Sequence, residues 1–306
     1  MTTTTLATSE RGDGKASRRA LGRRSQRPGV WFALPAILLL AIFFAYPLVS
    51  SLWQSFFQTS GGISTWVGFD QYARLWRDPL VAKSLVNAGI ILVIQVPIMI
   101  GSALVIAYLL NQSWLRFRSG FRLLTFLPAI TTLVAYAVVF RVLLATDGGA
   151  VNQLLGVFGV APIDWLHNEV WARVALIGAI TWRWTGYNMV ILLAGLQSVP
   201  TELYEAARID GAGRWQVFSK IVIPQLRPVI IFTTVTSTIG ALQLFDENFI
   251  LTGGGPNDAT LTPVLYLYKV AFRHFDFGYA SAIAWLLVAL TGIIAFAQFR
   301  IMRGKA

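Results

Sequence analysis

The 306-residue chain contains no cysteine, which excludes disulfides and thiolate-held metal ions. Histidine is almost as scarce. His167 and His274 have no partner at metal-binding spacing, and no His-Glu-x-x-His pattern occurs. A Gly-x-Ser-x-Gly nucleophile turn is also missing. The string Gly253-Gly254-Gly255-Pro256 lacks the Gly-Lys-Ser/Thr that completes a phosphate cradle, and its proline removes a backbone donor, so it reads as a sharp turn. Without a recognisable nucleotide-hydrolysis motif, any work this chain does must draw its energy from a partner. Charge is thin as well: 13% of residues are Asp, Glu, Lys or Arg, against roughly 25% in soluble domains.

What fills the chain is apolar length. Hydrophobic residues make up 56% of it, and the mean hydropathy is +0.62. Six runs are long enough to cross a hydrocarbon layer of about 30 Å, which takes about 20 helical residues. They are Trp31–Leu52, Ser84–Leu110, Phe121–Leu144, Trp171–Leu196, Pro228–Leu251 and Tyr279–Phe299. Backbone polar groups in lipid must be satisfied within the span, so helices are expected throughout and the fold class is an all-α polytopic membrane protein with six transmembrane helices. The expected organisation is a disordered basic tail over residues 1–30, a membrane domain over 31–300 with a polar loop at about 198–227, and a short C-terminus at 301–306. The first apolar run is too long for a secretory signal.

The net charge of +11 is unevenly placed. Seven Lys or Arg precede the first run, Arg116, Arg118 and Arg122 follow the second, Arg208, Arg214, Lys220 and Arg227 follow the fourth, and Arg300, Arg303 and Lys305 follow the last. Only Arg74, Arg77, Lys83, Lys269 and Arg273 occupy the alternate connections. This is the positive-inside pattern, which places both termini and the 198–227 loop in the cytoplasm and argues against a nucleic-acid partner.

That loop carries the strongest local signal. Glu205-Ala206-Ala207 precedes Asp210-Gly211-Ala212, then come Trp215, Phe218, Ile221-Val222-Ile223 and Pro224. Helix formers, a glycine break and a stripe at Trp215, Phe218 and Val222 predict a short helix, a turn at Gly211–Gly213 and a second short helix with an apolar face. Such an element suits a groove on a partner protein or the lipid interface.

Polar residues within apolar runs are functional candidates by default. The fourth run holds Trp182-Arg183-Trp184-Thr185-Gly186-Tyr187-Asn188, and the fifth ends with Gln243, Asp246, Glu247 and Asn248. Trp182, Tyr187, Asn188, Gln243 and Asp246 are the expected lining of a path for a carbohydrate, with aromatic faces for C–H surfaces and planar polar groups for hydroxyls. An interfacial aromatic belt remains open for Trp182 and Trp184. An Arg183 pair with Asp246 or Glu247 as structural glue, and an interhelical hydrogen bond for Gln95, remain open too.

In the Glu205 loop the sequence resembles the permease subunits of bacterial ATP-binding-cassette importers, whose shared loop reads E-A-A, three residues, G, then a spaced I-x-L-P. Ile223 stands where that pattern often has Leu. Further strings resemble the carbohydrate branch, the maltose/glycerol-3-phosphate permease-like members. Among them are Tyr46-Pro47, Val67-Gly68-Phe69-Asp70-Gln71-Tyr72, Phe126-Leu127-Pro128, Gly149-Ala150-Val151-Asn152 and Leu251-Thr252-Gly253-Gly254-Gly255-Pro256. The resemblance implies a MetI-like, type I importer permease fold in a bacterial inner membrane. It also implies a second permease as heterodimer partner, two cytoplasmic ATPase subunits holding ATP and magnesium, an extracytoplasmic binding protein, and no cofactor on this chain. Glu205, Ala206, Ala207, Asp210, Gly211, Ala212, Trp215, Phe218 and Pro224 would then form the ATPase-coupling element. Gly211 would stand where a Cβ would clash, and Trp215 and Phe218 would be anchors buried in the partner. The cargo implied is a sugar, with a phosphorylated polyol such as glycerol 3-phosphate as the alternative.

Overall fold

A computed structural model describes residues 26–60, 63–112 and 114–303. Residues 1–25 of the expected basic tail and the last three residues lie outside them. From Gln26 the tail range is already helical.

The chain divides into two units, Met1–Gln54 and Ser55–Ala306. The described part of the first comprises α1 (Gln26–Leu40), a π-helical turn at Ala41–Ala45 and α2 (Tyr46–Gln54). Its stretch Phe32–Gln54 is apolar and long enough to cross a membrane.

The second unit opens on an antiparallel hairpin, β1 (Phe57–Ser60) and β2 (Ile63–Trp66), with Phe57 opposite Trp66. The hairpin departs from the all-helical expectation. Its four-residue strands were masked by their proximity to the first apolar run, and an aromatic cluster of Phe56, Phe57, Trp66 and Phe69 holds them. Helices follow in order: α3 (Asp70–Arg77), α4 (Pro79–Leu110), α5 (Arg118–Ile130), α6 (Leu133–Leu143), α7 (Ala150–Val157), α8 (Glu169–Gln197), α9 (Thr201–Ile209) and α10 (Arg214–Val217). A π-helical turn at Phe218–Val222 leads to α11 (Ile223–Gln225), α12 (Arg227–Leu242), α13 (Asp246–Leu251), α14 (Pro263–Phe272) and α15 (Phe277–Arg303).

Helices α4 and α8 form the centre. Ala103 and Ala107 of α4 meet Met189, Leu192 and Leu196 of α8, and the small residues let the two backbones approach closely. Helix α5 crosses α8 so tightly that a Cβ on Gly186 would lie 1.9 Å from the Thr125 carbonyl oxygen.

Two of the six expected spans are bent or broken. The third run bends by 98° between α5 and α6. Thr131 and Thr132 are extended there (ψ 144 and 142), and the Thr131 hydroxyl donates to the Pro128 carbonyl at 2.7 Å. The fifth run breaks at Gln243–Phe245, between α12 and α13. Thr262 donates to the freed Leu244 carbonyl at 2.7 Å, which makes irregular backbone tolerable at this depth. Among the described residues, Phe32–Gln54, Pro79–Leu110 and Phe277–Ile301 qualify by length and composition as straight crossings. Two bent pairs, Arg118–Ile130 with Leu133–Leu143 and Trp215–Gln225 with Arg227–Leu242 (69°), raise the number to as many as five. Helix α8 is continuous over 29 residues, but the polar groups of its Trp182–Asn188 segment lower its hydropathy, and of these Arg183, Thr185 and Asn188 are buried.

Beyond the N-terminal end of α4, Asp78 joins three helices. Its carboxylate caps α4 through the Leu80 N–H at 2.9 Å and accepts from Tyr266 of α14 at 2.5 Å and Tyr279 of α15 at 2.7 Å. Burial pushes its pKa up, but the two tyrosine hydroxyls and the Leu80 and Val81 N–H groups outweigh burial and hold the carboxyl below its ordinary value. A depressed carboxyl pKa stabilises the fold above the unfolded value, about 3.9, and that stabilisation is lost as pH falls through the lower folded value. Thermal melts in lipid nanodiscs should therefore show wild type losing stability below about pH 4, while Asp78→Asn starts lower and changes less over the same range. Parallel pH profiles for the two proteins would contradict this role.

Candidate functional site

The 201–225 segment folds as the sequence predicts. Helix α9 ends in a Schellman cap: Gly211 has φ +74, and the Ala212 N–H reaches back to the Ala207 carbonyl at 2.9 Å. The next helix starts at Gly213, whose N–H donates to the Gln216 side chain at 2.9 Å, as in a capping box. A Cβ at Gly211 would meet nothing within 4 Å, which corrects the expected clash. Glycine is suited to this position by its left-handed backbone, and the surroundings are open.

The apolar stripe divides between two partners. Phe218 is 7% exposed and Val222 is fully buried, both against α4 and α8 of this chain, with Phe218 4.7 Å from the Tyr108 ring. Ala207 is buried in the same cluster, and Ala212 packs against it. Phe218 therefore cannot anchor in a partner. It ties the loop to its own helices, because the π-helical turn rotates Phe218 and Val222 inward. Trp215 is 74% exposed and Ile209 87%. Glu205, Ala206, Asp210, Gly211 and Pro224 are exposed too. Those groups form the outward face of the loop.

The second site is a cavity of about 510 Å³ among α4, α8, α12 and the break before α13, within the usual 300–1,000 Å³ of ligand pockets. Four of the five expected path residues line it: Tyr187, Asn188, Gln243 and Asp246. Trp182 does not. It stacks on Tyr136 at 6.1 Å and lies against Phe140. The reason is helical phase, since Arg183, Trp184, Tyr187 and Asn188 share one face of α8 and residue 182 points about 100° away from residue 183.

Asn188 is buried and crosslinks two helices, accepting from Ser237 at 3.3 Å while donating to the Trp184 carbonyl at 3.1 Å. Gln95 also lines the cavity. Its amide meets Met99 on its own helix at 3.1 Å, so the interhelical bond expected of it is not formed. Arg183 lies 3.9 Å from Glu247, whose carboxylate also accepts from Trp184 at 3.2 Å. Ser237 and Gly240 were missed by sequence reading, since small and hydroxylated residues in an apolar run look like packing positions.

A polar, aromatic cavity inside a bundle of apolar helices, together with an outward-facing helix–turn–helix, is an arrangement that suits a membrane transport subunit. A sequence profile of the binding-protein-dependent transport system inner membrane component family matches residues 28–305, and the chain belongs to this family. It is 44% identical over 294 residues to the lactose transport system permease protein LacF of Rhizobium radiobacter, covering 94% of this chain and 98% of that one. It is 33% identical over 274 residues to the sulfoquinovosyl glycerol transport system permease protein SmoG of Agrobacterium fabrum, covering 89% of each. Among solved structures, a bacterial transporter that imports the acidic polysaccharide alginate matches with TM-score 0.81 at 22% identity. The match covers 93% of this chain and 98% of that one and shows the shared fold.

Proposed function

We propose that this chain is one of two permease subunits of an ATP-driven sugar importer and forms half of the translocation path for a saccharide delivered by an extracytoplasmic binding protein. The near-full-length similarity to a lactose permease carries this reading. The cavity supports it with Tyr187, Asn188, Gln243 and Asp246, groups suited to sugar C–H faces and hydroxyls. ATP and magnesium are held by two cytoplasmic partner subunits, and no cofactor is assigned to this chain. The distribution of basic residues supports a cytoplasmic position for both termini and the 201–225 loop. There the exposed Glu205, Ile209 and Trp215 dock on an ATPase. Nucleotide-driven closure of the ATPases then moves the attached helices as rigid bodies and exposes the cavity alternately to the two sides.

Reconstitution with the partner subunits and the cognate binding protein in proteoliposomes tests this. ATP-dependent uptake of labelled lactose or a related oligosaccharide is expected. An intact assembly that accumulates no saccharide at all would sink the proposal.

A further inference from the structure

Arg183 is 9% exposed, and neither its Nε nor its Nη1 has a hydrogen-bond partner among the described residues. Its guanidinium is held in place by the rings of Tyr136 at 4.9 Å and Trp184 at 5.7 Å, with Glu247 at 3.9 Å as a loose counter-charge. Arg183 is part of the cavity wall, and a buried guanidinium with two unpaired nitrogens is an unfinished donor set. Among the described lining residues the charged ones are Arg183, Asp246 and Glu247, so Glu247 offsets the arginine and Asp246, at the exposed rim, leaves an excess negative charge.

The chemistry of possible occupants follows from this. A carboxylate or phosphate would satisfy Arg183, but it has no proton for Glu247 and is repelled by Asp246 in a site of low dielectric. Two neighbouring hydroxyls of a neutral sugar fit both sides: one O–H donates to Glu247, and the lone pairs of the next accept from Arg183. The rings of Trp184 and Tyr187, 6.0 Å apart and at 89°, leave apolar faces for the sugar's C–H surface.

We propose that the Arg183–Glu247 pair reads adjacent hydroxyls of an uncharged sugar ring, and that the cavity discriminates against carboxylated and phosphorylated cargo. This rests on the sugar-import reading above. It also ranks glycerol 3-phosphate below a neutral saccharide as cargo.

The test uses the assembled transporter in lipid nanodiscs with the binding protein omitted, so that selection by that protein is removed. Lactose and its 6′-carboxylate are the probes, followed by saturation-transfer NMR and tryptophan fluorescence titration. Wild type is expected to bind lactose at least ~10-fold more tightly than the carboxylate, and Glu247→Gln to weaken lactose binding ~10-fold and erase the preference. Arg183→Met should lose lactose without gaining the carboxylate. Asp246→Asn, at the exposed rim, should narrow the preference, and it serves as the readout if Glu247→Gln does not assemble. Equal binding of the two probes by wild type, or an unaltered preference in both carboxylate variants, overturns the proposal. Wild type binding neither probe overturns it together with the import reading, whereas lactose uptake with an unaltered preference leaves import standing and removes this inference alone.

Discussion

Adding a single methyl group at Gly186 is expected to abolish the folded assembly. The Cβ of Gly186→Ala would sit 1.9 Å from the Thr125 carbonyl oxygen, 2.6 Å from its carbon and 3.0 Å from the Phe126 Cα. Each of these is backbone, so no side-chain rotation relieves the overlap, and α5 must move away from α8. The expected loss is about 3 kcal/mol or more, at the upper end of overpacking effects. Separation of the two helices would also displace Arg183 and Asn188 from the cavity. Gly178→Ala on the same helix is the control, because a Cβ there meets nothing within 4 Å. Thermal melts and size-exclusion profiles of the purified protein decide the matter. A Gly186→Ala protein melting with wild type would mean that the α5–α8 crossing is looser than described.

The second large effect is expected at Gly211, and it depends on the kind of substitution. Space is open around the residue, so the constraint is the left-handed φ of +74. A β-branched side chain resists that conformation strongly, while asparagine adopts it with little strain. Gly211→Val should therefore unravel the Schellman cap, displace Trp215 and lower ATP-dependent uptake more than ~10-fold, whereas Gly211→Asn should stay within ~2-fold of wild type. Membrane insertion should be the same for both, since the lesion is confined to the loop. Equal uptake by the two variants would show that backbone conformation at this position is not what matters.

The contrast between these glycines shows what was legible in the sequence. Gly211 stands between helix formers and a new apolar stripe, so its role as a helix stop can be read locally. Gly186 sits in an apolar run, and its importance comes from a carbonyl more than 60 residues away in α5, which no local pattern reports. The apolar runs themselves were plain, because hydropathy integrates over about 20 residues. That same averaging hid the breaks at Thr131–Thr132 and Gln243–Phe245, where hydroxyls replace missing ladder bonds without lowering the apolar content much. Tyr187, Asn188, Gln243 and Asp246 were identified as cavity residues by their cost in lipid. Trp182 was misassigned because residue type was weighed without helical phase. Phe218 was misassigned because an apolar stripe announces burial without naming the partner that provides it.

Phe218 and Val222 lie against Leu192 and Leu196 of α8, and Asn188 enters the cavity one turn before Leu192. At 1.5 Å per residue the axial separation from Asn188 to Leu192 is only about 6 Å. Little compliant material lies between these positions, since one continuous helix carries both and its interior is close-packed. A displacement of the outer elbow should therefore arrive at the amide of Asn188 almost undamped, like torque along a short drive shaft. Softening that shaft near residue 190 would be expected to disconnect fuel consumption from cargo movement while leaving each intact by itself.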